Sequence, residues 1–263
     1  MVMFNKSFKK VSFLLTFFSF FPLYSQTSEL TFNSFSKFGL NIGLENIHTK
    51  NERNSISFNY YNPKAFSIGV DYNILQKNNF NFKIGLTYRI YSTKDEFTIK
   101  AEDYNNQFNL KSTSKFGDFS QFKIPISIEY FKRLSNNSSL FFGIGPEILI
   151  YQDDISSGEF KIYNSNINSN IGYVENGKST NILSIGLNLN FGLNIKSKSI
   201  LLRPIITYHY QPSTIYINTV ETKNLVVSEN TISKHEILGT YLMFGFSVHT
   251  NRNLFRKKLN KTY

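Results

Sequence analysis

Residues 182–195 read Ile-Leu-Ser-Ile-Gly-Leu-Asn-Leu-Asn-Phe-Gly-Leu-Asn-Ile. Leu183, Ile185, Leu187, Leu189, Phe191, Leu193 and Ile195 alternate with Ser184, Gly186, Asn188, Asn190, Gly192 and Asn194. A β-strand turns successive side chains to opposite faces. One face of this strand is therefore apolar throughout, and the other carries only small or polar groups. A soluble sandwich rarely divides its faces so completely. A membrane barrel requires it, with lipid outside and a polar lumen inside.

Seven more segments repeat the pattern. They are residues 37–46, 65–75, 80–91, 121–133, 140–151, 200–209 and 240–249. Each is close to the ~9–11 residues that a tilted strand needs to cross a bilayer. Three connections are tight and polar: Gln76-Lys77-Asn78-Asn79, Ser135-Asn136-Asn137-Ser138 and Lys196-Ser197-Lys198-Ser199. The other four, near 47–64, 92–120, 152–181 and 210–239, are long. Short turns at one end and long loops at the other are the asymmetry of outer-membrane barrels, whose short turns face the periplasm. The fold expected is all-β, an eight-stranded antiparallel up-and-down transmembrane β-barrel over 37–249. Weak alternation in 97–101, 214–222 and 225–232 suggests hairpins rising above the membrane. If the last two segments crossed it, the count would be ten.

Composition agrees with this class. The chain has 27 Phe, 16 Tyr and no Trp or Cys, and 18% of its residues are charged. That charge content is low beside the roughly one quarter usual in soluble domains. Mean hydropathy is only −0.25, because a polar lumen face dilutes the apolar signal of a barrel. Without cysteine there is no disulfide framework, thiol nucleophile or thiolate metal site. Residues 1–25 read as a secretory signal peptide. Lys6, Lys9 and Lys10 precede an apolar run from Val11 to Phe21, and Ser25 stands at the expected cleavage point. Residues 26–36 form an N-terminal segment, and 250–263 a basic periplasmic tail with Arg252, Arg256, Lys257, Lys258 and Lys261. The formal charge is +11; without the signal lysines and the tail cations it is +3. The basicity therefore sits at the ends of the sequence, which argues against a nucleic-acid partner.

These features together resemble the small outer-membrane β-barrels of Gram-negative bacteria, the OmpA-type transmembrane barrel and its porin-family relatives. The resemblance covers residues 35–250. The last strand, with Tyr241, Gly245, Phe246 and Val248, resembles the terminal strand that the barrel-assembly machinery reads. It departs from that pattern because Thr250–Tyr263 follows it. The resemblance implies a bacterial outer-membrane location, with membrane lipid and lipopolysaccharide as surroundings.

The faces opposite the lipid carry Glu45, Asp71, Lys83, Arg89, Lys123, Glu129, Arg133, Glu147 and Arg203. An eight-stranded barrel is narrow enough for side chains to fill, and charges there must pair or stay hydrated. The reading is a charge-plugged lumen, with a narrow ion path as the sharper alternative. Gly143, Gly186 and other inward glycines leave room for long side chains.

Catalytic signals are weak. His48, His209, His235 and His249 show no metal spacing. Ser247 and His249 share an inward face, but two residues of strand separate them by roughly 7 Å. The acidic pairs Asp95-Glu96, Glu102-Asp103 and Asp153-Asp154 are candidates for calcium or for divalent-bridged lipopolysaccharide. The function expected is non-enzymatic and without cofactor, a structural or surface-binding role exercised through the long loops. A small-solute pore and an accessory part in protein secretion or assembly are the alternatives; a lipid-modifying enzyme is the weakest.

Overall fold

The computed structural model describes residues 35–52, 58–77, 79–104, 107–152, 155–164, 169–180, 182–223, 225–226 and 232–251. The signal-peptide reading, residues 26–34 and the tail from 252 onward lie outside these. Among the described residues there are twelve strands: β1 (Phe35–Glu52), β2 (Phe58–Tyr60), β3 (Lys64–Lys77), β4 (Phe80–Ile99), β5 (Leu110–Arg133), β6 (Ser138–Tyr151), β7 (Ile155–Asn164), β8 (Ser169–Ser179), β9 (Leu183–Lys196), β10 (Ile200–Tyr210), β11 (Thr214–Lys223) and β12 (Ile232–Asn251).

Eight of them close a barrel. The antiparallel order is β1, β3, β4, β5, β6, β9, β10, β12, and β12 pairs back onto β1 from Gly39↔His249 to Ile47↔Tyr241. Closure leaves no spanning strand with an unpaired edge, which a lipid environment demands. The two faces separate one residue apart: Leu187 is 42% exposed and Asn188 only 2%. The outer face also carries cross-strand aromatic pairs. Phe38–Tyr72, Phe80–Tyr130 and Tyr88–Phe122 have ring centroids 4.7, 5.3 and 5.2 Å apart.

The remaining strands extend the barrel at its long-connection end. Above Tyr241, β12 exchanges β10 for β11, pairing Thr214↔Leu238 through Glu221↔Ile232. β8 joins β11 and β7 joins β8. β4 and β5 continue as a hairpin to Ile99↔Leu110, and β2 pairs β4. This settles the strand count. β10 and β11 lie on the same side of β12, one beyond the other, so β11 adds no further crossing. The alternation at 214–222 is thus a strand of the extension. Of the segment 225–232, Leu225 and Val226 are not strand, Ile232 opens β12, and residues 227–231 lie outside the described residues. Much of what the sequence leaves as long loops is strand, β7 and β8 included. Ser156-Ser157-Gly158-Glu159 and Glu175-Asn176-Gly177 offer no apolar periodicity; backbone pairing across a hairpin makes them strands.

Two apolar layers lie inside. Ile47, Tyr91, Phe119, Leu149, Ile215 and Ile237 belong to a buried cluster where barrel meets extension. Phe97 and Ile99 of β4 pack on Val220 of β11 farther out.

Candidate functional site

The inward positions of the barrel strands build two ionic clusters. In the first, Glu45 receives Arg89 through an Nη1–Oε2 contact of 2.9 Å and Lys123 on its other oxygen. The Tyr241 hydroxyl donates to Glu147 at 2.6 Å and accepts from Lys123 at 3.3 Å. Asn188 donates to the second Glu147 oxygen at 2.8 Å, and its own Oδ1 meets His209 Nδ1 at 2.7 Å. The His209 ring stacks on Tyr241, centroids 4.9 Å apart. Gly186 allows this ring to lie against the wall, because a Cβ there would stand 2.4 Å from it.

The second cluster centres on Glu129. Its carboxylate takes Lys83 at 3.0 Å, Arg203 at 2.8 Å and the Asn81 amide at 2.9 Å. Arg203 also donates to Asn194 at 2.8 Å and lies over the Phe141 ring at 4.4 Å. Asp71 accepts from Asn41 at 3.0 Å and faces Lys83 at 3.9 Å. Gly143 makes space here, since its Cβ would sit 3.1 Å from Glu129 Cγ.

Each cluster joins two carboxylates to two cations, so each is neutral by itself. Isolated charges in so narrow a space would carry a large desolvation cost, which pairing and hydrogen bonding offset. Between them a cavity of about 60 Å³ is lined by Asp71, Lys83, Lys123, Ser127, Glu147 and Tyr241, among others. Asp71 Oδ2, beyond its ion pair with Lys83, and Ser127 Oγ accept or donate no hydrogen bond within the described protein. With ~10–15 Å³ needed to hold one water, the cavity is large enough to admit water beside both groups.

Eight of the nine charges expected in the lumen are therefore gathered there. Arg133 is the correction. It is exposed at the turn after β5, where its guanidinium bonds the Ser135 carbonyl at 3.2 Å and the Asn136 side chain. Strand parity points it inward, but the strand ends at that residue, and a side chain at a rim bends to solvent. Tyr241, His209, Asn41, Asn81, Asn188 and Asn194 join the network, although the sequence reading assigned none of them to it. The same inward parity marks each of them.

The histidines stay apart, and among the described residues no three acidic or histidine side chains gather to hold a metal. Ser247 and His249 are closer than strand spacing suggests, with Oγ–Nε2 at 3.2 Å, because the imidazole reaches along the strand. The other ring nitrogen faces the Ser36 carbonyl at 3.1 Å, not a carboxylate, and both side chains are fully buried. A Ser–His–acid triad needs an acid at that nitrogen. In the extension, Glu175 of β8 is 3% exposed and accepts from Asn218 of β11. Burial raises its carboxyl to about 7, with the Asn218 bond opposing.

An apolar outer face around an ionic, self-neutral interior defines the class: an integral-membrane β-barrel. No protein-family model matches the chain, and no curated protein matches it. Among solved structures it is similar to the outer membrane protein OprG from Pseudomonas aeruginosa, at 10% identity over 82% of this chain and 97% of that one, with a TM-score of 0.46. It is also similar to the beta domain of the Bordetella autotransporter BrkA, at 9% identity over 81% and 98%, with a TM-score of 0.27. A Pseudomonas aeruginosa FadL homologue follows at 7% identity over 81% and 90%, with a TM-score of 0.20.

Proposed function

We propose that this chain is a bacterial outer-membrane barrel without enzymatic activity or cofactor, closed to solute flow, that works through its extension in a structural or surface-binding role. In this reading a cleaved signal peptide exports it, the barrel-assembly machinery inserts it, and lipid and lipopolysaccharide surround it. The kinship with OmpA-type barrels rests on the strand count and turn pattern. The observation that carries the closed-lumen reading is the pair of neutral ionic clusters, followed by the apolar layer of Tyr91, Phe119, Leu149 and Ile237. A solute would have to break several buried ion pairs, each costing about 3–5 kcal/mol, and then pass a buried apolar layer.

Planar-bilayer recording of the refolded full chain tests this. The expected trace is flat at moderate voltage. Stable, reproducible conductance steps would overturn the closed lumen and favour a small-solute pore.

A further inference from the structure

Among the described residues, acidic groups outside the lumen keep to one end, whereas cations stand at both. At the short-turn end the described residues present Lys37, Lys77, Lys132, Arg133, Lys196 and Lys198, and neither that rim nor its turns contain an Asp or Glu. All but Lys196, which is half-buried, are exposed. The sequence after Asn251, outside the described residues, holds five cations and no Asp or Glu. Acidic side chains outside the lumen stand at the opposite end, as with Glu96, Glu102, Glu159 and Glu221.

The placement is circumferential. Lys37 opens β1, Lys77 ends β3, Lys132 and Arg133 end β5, Lys196 ends β9, and Lys198 lies in the turn to β10. Arg133 and Lys196 lie near enough at this rim for their charges to act on one another. The ring also adjoins the apolar belt. Lys37 Nζ stands 5.9 Å from the Tyr72 ring, whose partner is Phe38, and Phe80 and Tyr130 form the next outer-face aromatic pair near this end. Such aromatics mark the boundary between hydrocarbon and headgroups.

We infer that this rim is a docking ring for the anionic phospholipid headgroups of the leaflet at the short-turn end. A ring around the whole barrel, level with its aromatic boundary, matches a plane of headgroups. A protein partner would call for cations gathered on one side. Cations next to a membrane surface attract anionic lipid within about a Debye length. The inference rests on the membrane-spanning reading and names the lipid chemistry at one end of it.

The test uses the full chain refolded in vesicles of phosphatidylcholine with a minor share of phosphatidylglycerol. Spin-labelled versions of each lipid report which is held at the protein boundary. The wild type should hold the anionic lipid in excess, and less so at high salt. The combined variant Lys37→Gln, Lys77→Gln, Lys132→Gln, Lys198→Gln should reduce that preference by roughly fivefold or more, the factor that one surface cation contributes. The combined control Lys94→Gln, Lys100→Gln, Lys111→Gln, Lys223→Gln, all on the extension, should keep it. Heat-modifiable gel migration reports folding separately, so loss of the barrel is not mistaken for loss of the ring. A folded wild type without preference, a rim variant that retains it, or a control that loses it equally would each overturn the inference. So would rim-dependent binding of soluble polyglutamate without any lipid preference, which would mark a protein-docking rim.

Discussion

Glu129→Gln tests the lumen most directly. Glu129 is fully buried and accepts Lys83 at 3.0 Å, Arg203 at 2.8 Å and Asn81 at 2.9 Å. Glutamine keeps the shape and removes the charge. The cluster then holds two cations against Asp71 alone, which is 3.9 Å from Lys83. Removing one partner of a buried pair costs about 3–5 kcal/mol. The nearby water-sized cavity allows some hydration, so the lower end of that range is expected. Adding Lys83→Gln restores neutrality and should recover most of the loss, since coupled neighbours are not additive. The assay is urea-driven unfolding in detergent or vesicles, scored by the gel shift between folded and boiled barrel. A single variant costing under ~1 kcal/mol, or a double variant no better than the single, would refute the idea that charge pairing fills and stabilises this lumen.

Three further outcomes are expected. Glu175 has its carboxyl raised to about 7 from an ordinary 4.5, so the folded extension binds a proton that the unfolded chain releases. Its penalty is absent below pH 4.5 and grows as pH rises to 7, reaching at most about 3 kcal/mol. Hydrogen exchange in β8 and β11 should therefore quicken between pH 5 and 8, and Glu175→Gln should flatten that trend; an unchanged profile in the variant counts against it. Leu187→Arg places a charge on the lipid face and should cost up to about 2–4 kcal/mol, whereas Leu187→Phe should fold normally by gel shift; equal folding of the two would put Leu187 away from lipid. Because the chain has no native cysteine, Phe108→Cys should label with an impermeant maleimide on intact cells and Asn137→Cys should not. Reversed labelling would invert the orientation.

The spanning strands were legible because lipid imposes one demand on every second residue. The run from Leu183 to Ile195 can satisfy it in only one way, and a one-residue slip would turn every apolar group inward. The same parity places Glu45, Arg89 and Glu129 inside. Parity fails at strand ends, as at Arg133, where nothing holds the side chain to the wall. It also fails in β7 and β8, whose apolar residues keep no period of two and whose shape comes from pairing. What sequence alone determined is thus the class of fold, its inner and outer faces and the polarity of its ends. Only the tertiary structure decided which charges meet. Glu45 finds Arg89 from 44 positions away, and Tyr241 finds Glu147 from 94. Those partners are set by the tilt and register of a closed sheet, a property of all eight strands together and of none of them singly.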